Sequence, residues 1–424
     1  MWGFIDWGSQ EHQLCLVDAD GQVVCQRRFS HKADDLAKLC ALLRQPRAGL
    51  PAVKAVAIER NDGAVVDAML EAGLAVYVIN PKQIERFREF VAPSGCKDDR
   101  LDAFVGAEAL RQHPNRFTRL CTPEPWTIVL KDQLLLRNEL VQQQVRLKHR
   151  IREQLQRYYP QFWQLGNLQS SWQRALWYHV STPAKARRVR PQTITRLLKK
   201  HRVRCYDAQG VLKVLRQTPL RVAEGVVDGA LCRLRCHFAE LELVSDNLDR
   251  CERELKQLIE QCDAKQRIQL AQDEPTDVEL LRQIPGFGTL QAAALYAYAS
   301  EALTARNWQH LRARAGVAPV STLTGTKQNR YHKRTKPKVH IRRACSKPLR
   351  NALFHAAAAA SIYSAFYKAR YKQYREKGHS HGRACRQIGD HQLRTLVGML
   401  KSRRPYDPSR FDNKDADAQK VLVK

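Results

Sequence analysis

The sequence predicts an α/β domain at the amino terminus, then long helices, then a mainly α carboxyl-terminal region. Three observations carry this. Short apolar runs of strand length fill the first eighty residues, and two of them end on an acid, Asp6 and Glu59. Leucines keep a helical spacing across 126 to 157 and again across 226 to 270. Beyond residue 276 the pattern is helical, with an Ile-Pro-Gly-Phe-Gly turn at 284 to 288. A chain of 424 residues holds two or three domains, since single cores rarely outgrow about 250–300 residues.

Taken in order, Gly3 to Gly8 is an apolar strand, His12 to Val17 alternates as a second, and Asp20-Gly21 turns the chain into a third, Val23 to Phe29. Ala33 to Leu43 is helical. Val53 to Ile58 is apolar throughout, the mark of a strand buried on both faces. Val65 to Ala72 is helical, Ala75 to Ile79 is another buried strand, and Asn80-Pro81 closes it. A Pro-Ser-Gly turn at 93 to 95 precedes Lys97-Asp98-Asp99-Arg100-Leu101-Asp102-Ala103, which opens a helix. There Asp99 and Asp102 share a face, while Asp98 points about 100° away.

Strand ends are where α/β sheets place their ligands. Asp6, Glu59, Asp99 and Asp102 could therefore converge. Four converging carboxylates need cations to stay ionised, and an all-oxygen set suits Mg²⁺. Two such ions can activate an attacking oxygen and steady the leaving oxygen of a phosphodiester. Taken singly, Asp6 also fits a strand-end turn residue, Glu59 an ion pair with Arg60, and the helix acids a favourable first turn.

Ile-Asp-x-Gly near the start, Ile-Glu after a buried strand, and Lys-x-Asp-x-x-Asp-Ala on a helix together resemble the DEDD transposases of bacterial insertion sequences. The nearest pattern is the insertion-sequence family numbered one-ten with its eleven-eleven subgroup, described as bridge-RNA-guided recombinases. The resemblance implies an RNase H-like (RuvC-like) domain over 1–115, Mg²⁺ held by Asp6, Glu59, Asp99 and Asp102, and DNA cleaved and rejoined. Asp98 stands where that family more often has a small hydroxyl residue.

Composition agrees with a polyanionic partner. Lys plus Arg number 72 against 42 Asp plus Glu, a net charge of +30. The twelve cysteines form no Cys-x-x-Cys pair, and Cys232 and Cys236, four apart on a helix, read as buried thiols. No secretory segment opens the chain, and no apolar run reaches the ~20 residues of a membrane span. A bacterial cytoplasmic, nucleoid-associated location is expected, with no membrane partner.

The two long helical patterns (126–275 with their insert) suggest an antiparallel hairpin, a coiled-coil arm for a second protomer, or a plain bundle. The resemblance favours a dimerising coiled coil within a homodimer or homotetramer. Between Glu153 and Asp207 there is no acid and there are eleven Lys or Arg, including Lys185, Arg187, Arg188, Lys199, Lys200 and Arg202. Tyr158, Tyr159, Phe162, Trp163, Trp172, Trp177 and Tyr178 are interleaved. This insert (about 158–225) is expected to contact RNA or DNA backbone, with a small helical core as the other account of its aromatics.

In the carboxyl-terminal region (276–405, with a tail at 406–424), Gly286 and Gly288 resemble a helix-hairpin-helix turn that offers amides to phosphate. Ala302 to Arg375 carries seventeen Lys or Arg and no acid. Within it Ala315-Gly316-Val317-Ala318-Pro319, Thr324-Gly325-Thr326-Lys327 and Ile341 to Cys345 resemble the same family's carboxyl-terminal domain. The family's nucleophilic serine corresponds to Thr324 here, with Ser321 nearby. Lys327, Arg330, Arg334, Arg342 and Arg343 are candidates to bind phosphate. The expected function is insertion-sequence transposition, guided by a structured RNA. The alternatives are a metal-dependent junction nuclease and a nucleic-acid-binding relic that no longer cuts.

Overall fold

A computed structural model describes residues 1–45, 52–91, 98–168, 170–271, 273–322 and 338–409. The chain divides into two compact units, Met1–Glu124 and Pro125–Lys424.

The first unit runs β1 (Trp2–Trp7), β2 (Glu11–Val17), β3 (Val23–Ser30), α1 (Ala33–Arg44), β4 (Ala55–Ile58), α2 (Ala64–Glu71), β5 (Val76–Val78), α3 (Pro81–Val91), α4 (Asp99–Gln112) and β6 (Thr118–Arg119). Its six-stranded sheet has the order β3-β2-β1-β4-β5-β6. The first three strands form an antiparallel meander, β4 and β5 lie parallel to β1, and β6 returns antiparallel to β5. Period-two alternation then sorts the side chains. Ile5, Leu14, Leu16, Val56 and Ile58 face one core with residues of α1 and α2. Phe4, Cys15, Val17, Ala55 and Ala57 face the other, with residues of α3 and α4.

The seating of α4 is set by Gly106. A β-carbon there would lie 2.3 Å from the Phe4 ring, so only glycine lets the helix come this close to β1. The helix runs antiparallel to β1. Its carboxyl-terminal half meets the β2–β3 turn, where Arg111 donates to the Ala19 carbonyl at 2.8 Å. Its amino-terminal end lies over β3, where the Gln26 amide donates to the Arg100 carbonyl at 3.4 Å.

The second unit is mainly helical. α5 (Pro125–Tyr158) and α10 (Val226–Gln269) pack together as a long antiparallel pair, joined across by Arg137–Glu252 at 2.8 Å and Gln144–Ser245 at 3.3 Å. Of the readings left open for these two helices, the antiparallel hairpin is the one seen. At one end it carries the insert, α6 (Ser171–His179), α7 (Pro183–Arg188), α8 (Pro191–Lys200) and α9 (Ala208–Leu215). At the other end, Leu130, Leu134, Leu255 and Ile259 enter one core with α11 (Asp277–Gln283), α12 (Thr289–Thr304) and α13 (Trp308–Arg314). That region also holds a small antiparallel pair, β7 (Val320–Thr322) with β8 (Lys338–His340), then α14 (Lys347–Tyr363), α15 (Ala365–Glu376) and α16 (His381–Ser402). Among the described residues no helix is long and apolar enough to cross a membrane.

Candidate active site and nucleic-acid surface

The sheet register decides where the first two acids point. β1 and β4 pair parallel, up to Ile5 with Ile58, so Asp6 and Glu59 follow in step on adjacent strands. Asp6 alternates with Phe4, and Glu59 with Ala57. Both therefore belong to the face covered by α4. On α4, Asp99 and Asp102 precede Gly106 by seven and four residues and share its side of the helix. Because α4 runs against β1, all four carboxylates belong to one end of one face. Asp6, Glu59 and Asp102 are half-buried, and Asp99 is exposed.

The two helix acids are met by cations. One Arg88 nitrogen on α3 donates to both oxygens of Asp102, at 2.6 and 2.8 Å, with the side chains only 20% and 13% exposed. Arg28 on β3 lies 3.8 Å from Asp99 and also bonds the Gln13 side chain at 3.2 Å. Arg60 stacks on Trp7 at 4.3 Å and reaches Asp62. Asp98 caps α4, accepting from the Arg100 amide at 3.4 Å, so it serves the helix start. Among the described residues no three acids, histidines or cysteines stand as a group that could hold a metal. The donor set itself, carboxylates without sulfur or imidazole, fits Mg²⁺ in kind.

Glu108 anchors the other end of α4. Arg111 holds its carboxyl below the usual glutamate range, against a smaller upward push from burial.

In the second unit the insert departs from expectation. Tyr158, Tyr159, Phe162, Trp172 and Trp177 are buried together, and Trp177 stacks on Phe238 of α10 with centroids 4.3 Å apart. Most of the aromatics thus build a helical core, while Tyr178 and Tyr206 are exposed. On α6 the helical spacing of Trp172, Leu176 and Trp177 was the signal for this. The cations fall on the outside: Lys185, Arg187, Arg188, Lys199, Lys200 and Arg202 are all exposed. Cys232 and Cys236 are also exposed, on the outer side of α10, which corrects their reading as buried thiols.

The Ile-Pro-Gly-Phe-Gly turn also has a packing role. Gly286, at φ +84°, lies where a β-carbon would come within 2.1 Å of the Ala356 carbonyl oxygen on α14. The Gly288 amide donates to the Gln291 side chain at 3.0 Å. Downstream, Gly316 packs on Cys345, and the Ser346 amide donates to the Arg314 carbonyl at 2.8 Å. Two motifs thirty residues apart are thereby joined. Arg342 is half-buried and Arg343 exposed, just after β8. Thr324, Lys327, Arg330 and Arg334 lie outside the described residues.

A mixed sheet with acids at its strand ends, followed by a strongly basic helical unit, defines a nucleic-acid-processing protein of the DEDD type. Residues 5–160 match the DEDD transposase model of the IS110 group, described as "Transposase". Residues 278–373 match the "Transposase IS116/IS110/IS902 family". The chain belongs to the IS110 family of transposases. It is 41% identical over 206 residues to a Sinorhizobium fredii protein named as transposase y4uE, covering 48% of this chain and 57% of that relative. It is 25% identical over 421 residues to the mini-circle transposase for IS117 of Streptomyces coelicolor, covering 96% of this chain and 95% of the relative. A 44.8 kDa insertion element IS116 protein of Streptomyces clavuligerus is 24% identical over 416 residues, 96% of each chain. The match thus spans little more than half of the first relative and nearly all of the other two.

Proposed function

We propose that this chain is a DNA transposase that cleaves and rejoins the phosphodiesters of an insertion sequence, with Asp6, Glu59, Asp99 and Asp102 as its acidic site. What supports this is the register: Asp6 and Glu59 follow in step at the ends of adjacent parallel strands on the sheet face that α4 covers, and Asp99 and Asp102 open that helix. The strand order, with three antiparallel strands and then two parallel ones, supports an RNase H-like domain. Mg²⁺ at these carboxylates would supply Lewis acidity and a lowered pKa for a bound oxygen nucleophile. The chain's own contribution is positional. Phe4 against Gly106 fixes the height of α4, and Asp98 starts the helix so that Asp99 and Asp102 share one side.

Thr324 would be the attacking hydroxyl, with Arg342 and Arg343 among the cations that balance charge on the phosphate. The exposed Lys185, Arg187, Arg188, Lys199, Lys200 and Arg202 would track the backbone of DNA or of a structured guide RNA. Val129 and Leu136, exposed seven residues apart on α5, suit a helix-to-helix contact in a homodimer or homotetramer. The Gly286–Gly288 turn remains a candidate backbone contact, through amides other than that of Gly288. The test is to trap a covalent protein–DNA adduct and locate it by peptide mass. An adduct on Thr324, lost in Thr324→Ala and kept in Thr324→Ser, supports the recombinase. Metal-dependent cutting with no adduct in any variant would favour a two-metal junction nuclease.

A further inference from the structure

The corner between α14 and α15 exposes two large side chains that the fold leaves uncovered. Ile362 is 64% exposed and Tyr363, the last residue of α14, is 87% exposed. Ser364 is the cause. It adopts an extended conformation (φ −105°, ψ 123°), ends α14 and begins α15, so the last turn of α14 projects at the bend. Single exposed hydrophobes are ordinary on a protein surface. Ile362 lines a groove of about 910 Å³ together with Ala358, Ala365 and Ala369, and Tyr363 follows it at the bend. Lys368, Lys372 and Arg375 fall on one stripe of α15 along its rim, and all three are exposed. Glu376 is the first acid after Glu301, and it lies 3.9 Å from Lys372 across exposed surface. The next acid, Asp390, is engaged by Arg312.

A second copy of this chain fits such a surface poorly. A two-fold contact through this corner would set three cations against the same three cations. The combination suits a polyanion that also carries flat apolar faces. Stacking needs a π face, and the phosphates on either side need cations, which an exposed ion pair as loose as Lys372–Glu376 does not neutralise.

We propose that this corner is a DNA contact that holds an opened base step. Tyr363 stacks on the exposed base, Ile362 packs beside it, and Lys368, Lys372 and Arg375 hold the flanking phosphates. This rests on the DNA-processing reading above. It adds a site for distorted DNA at a distance in sequence from every acid of the candidate active site. Apolar wedges that enter opened steps are a general means of bending duplexes.

The test uses the full chain and two duplexes, one fully paired and one with a single-base bulge bearing 2-aminopurine. Binding is read by anisotropy and stacking by quenching of the 2-aminopurine. Wild-type protein should prefer the bulged duplex and quench its fluorescence. Tyr363→Ala should weaken bulge binding roughly five- to hundred-fold, abolish the quench and leave the paired duplex nearly unaffected. Tyr363→Trp should restore both signals, which separates stacking from folding. Lys368→Gln, Lys372→Gln and Arg375→Gln together should weaken both duplexes alike and flatten the salt slope by up to about 3. Unchanged bulge binding and quenching in Tyr363→Ala would overturn the proposal. So would a changed oligomer mass by light scattering with DNA binding intact, which would mark the corner as a protein interface. Wild-type protein that binds neither duplex at low salt would sink the DNA-processing reading itself, a result distinguishable from loss of the bulge preference alone.

Discussion

Gly106→Ala should damage the candidate active site without touching any of its carboxylates. The added methyl carbon would fall 2.3 Å from two ring atoms of Phe4 and 2.7 Å from a third, where ordinary carbon contacts are about 3.5–4.0 Å. Phe4 is fully buried in the core beneath α4, so the ring has nowhere to withdraw. The helix must lift by about 1 Å or more, and Asp102 and Asp99 lift with it, one and two turns away on the same side. Overpacking of this kind costs about 1–3 kcal/mol, offset by the roughly 1 kcal/mol that alanine gains over glycine inside a helix. The stability loss should therefore be small. A displacement of that size at reacting groups, in contrast, costs on the order of a hundredfold in rate. Urea denaturation and a metal-dependent DNA cleavage assay on the same preparation measure the two effects. Phe4→Leu combined with Gly106→Ala should recover part of the cleavage. Wild-type cleavage by a well-folded Gly106→Ala protein would refute the link between helix seating and the carboxylates.

Other expectations follow from the same geometry. Arg88→Gln removes the partner of the half-buried Asp102 and should lower stability by about 2–3 kcal/mol in EDTA, below the range for a fully buried pair. Mg²⁺ should reduce that deficit, and an equal deficit with and without Mg²⁺ would argue that Asp102 takes no metal. Lys199→Glu, Lys200→Glu and Arg202→Glu together should weaken nucleic-acid binding and its salt dependence while far-ultraviolet dichroism stays unchanged, since all three side chains are exposed. Glu108 has a folded pKa depressed chiefly by Arg111. Its contribution to stability is therefore complete above the unfolded value of about 4.3 and lost as pH falls through the folded one. Glu108→Gln should flatten the acid limb of the stability profile in that range, and an unaltered limb would remove the pair from the account.

Much of the amino-terminal unit was legible in its sequence because burial there is periodic. β1 to β5 read as apolar or alternating runs, and α1, α2 and α4 as helical ones. β6 was not legible: it is two exposed residues, Thr118 and Arg119, held only by pairing with β5. Sequence spacing put Asp99 and Asp102 on one side of a helix, but it carries no signal for Arg88, fourteen residues away on another helix. Asp98 read as a residue on a helix face, whereas an acid just before a helix is also a cap, and the cap geometry won. In the insert, charge and aromaticity were read as one surface. Folding separated them, because Tyr158 of α5, Tyr159, Phe162 and the tryptophans of α6 are buried in one core with apolar residues of α8, α9 and α10, while the cations stay outside.

The most direct test of the acidic site compares Asp102→Asn with Asp98→Asn in Mg²⁺-dependent DNA cleavage, with DNA binding measured alongside. Asp98→Asn keeps a side chain able to cap α4 and should cut like wild type. Asp102→Asn should bind DNA and fail to cut it, because a neutral amide is a poor Mg²⁺ ligand. Cleavage by Asp102→Asn at the wild-type rate would contradict the assignment of these carboxylates as the site that cuts DNA.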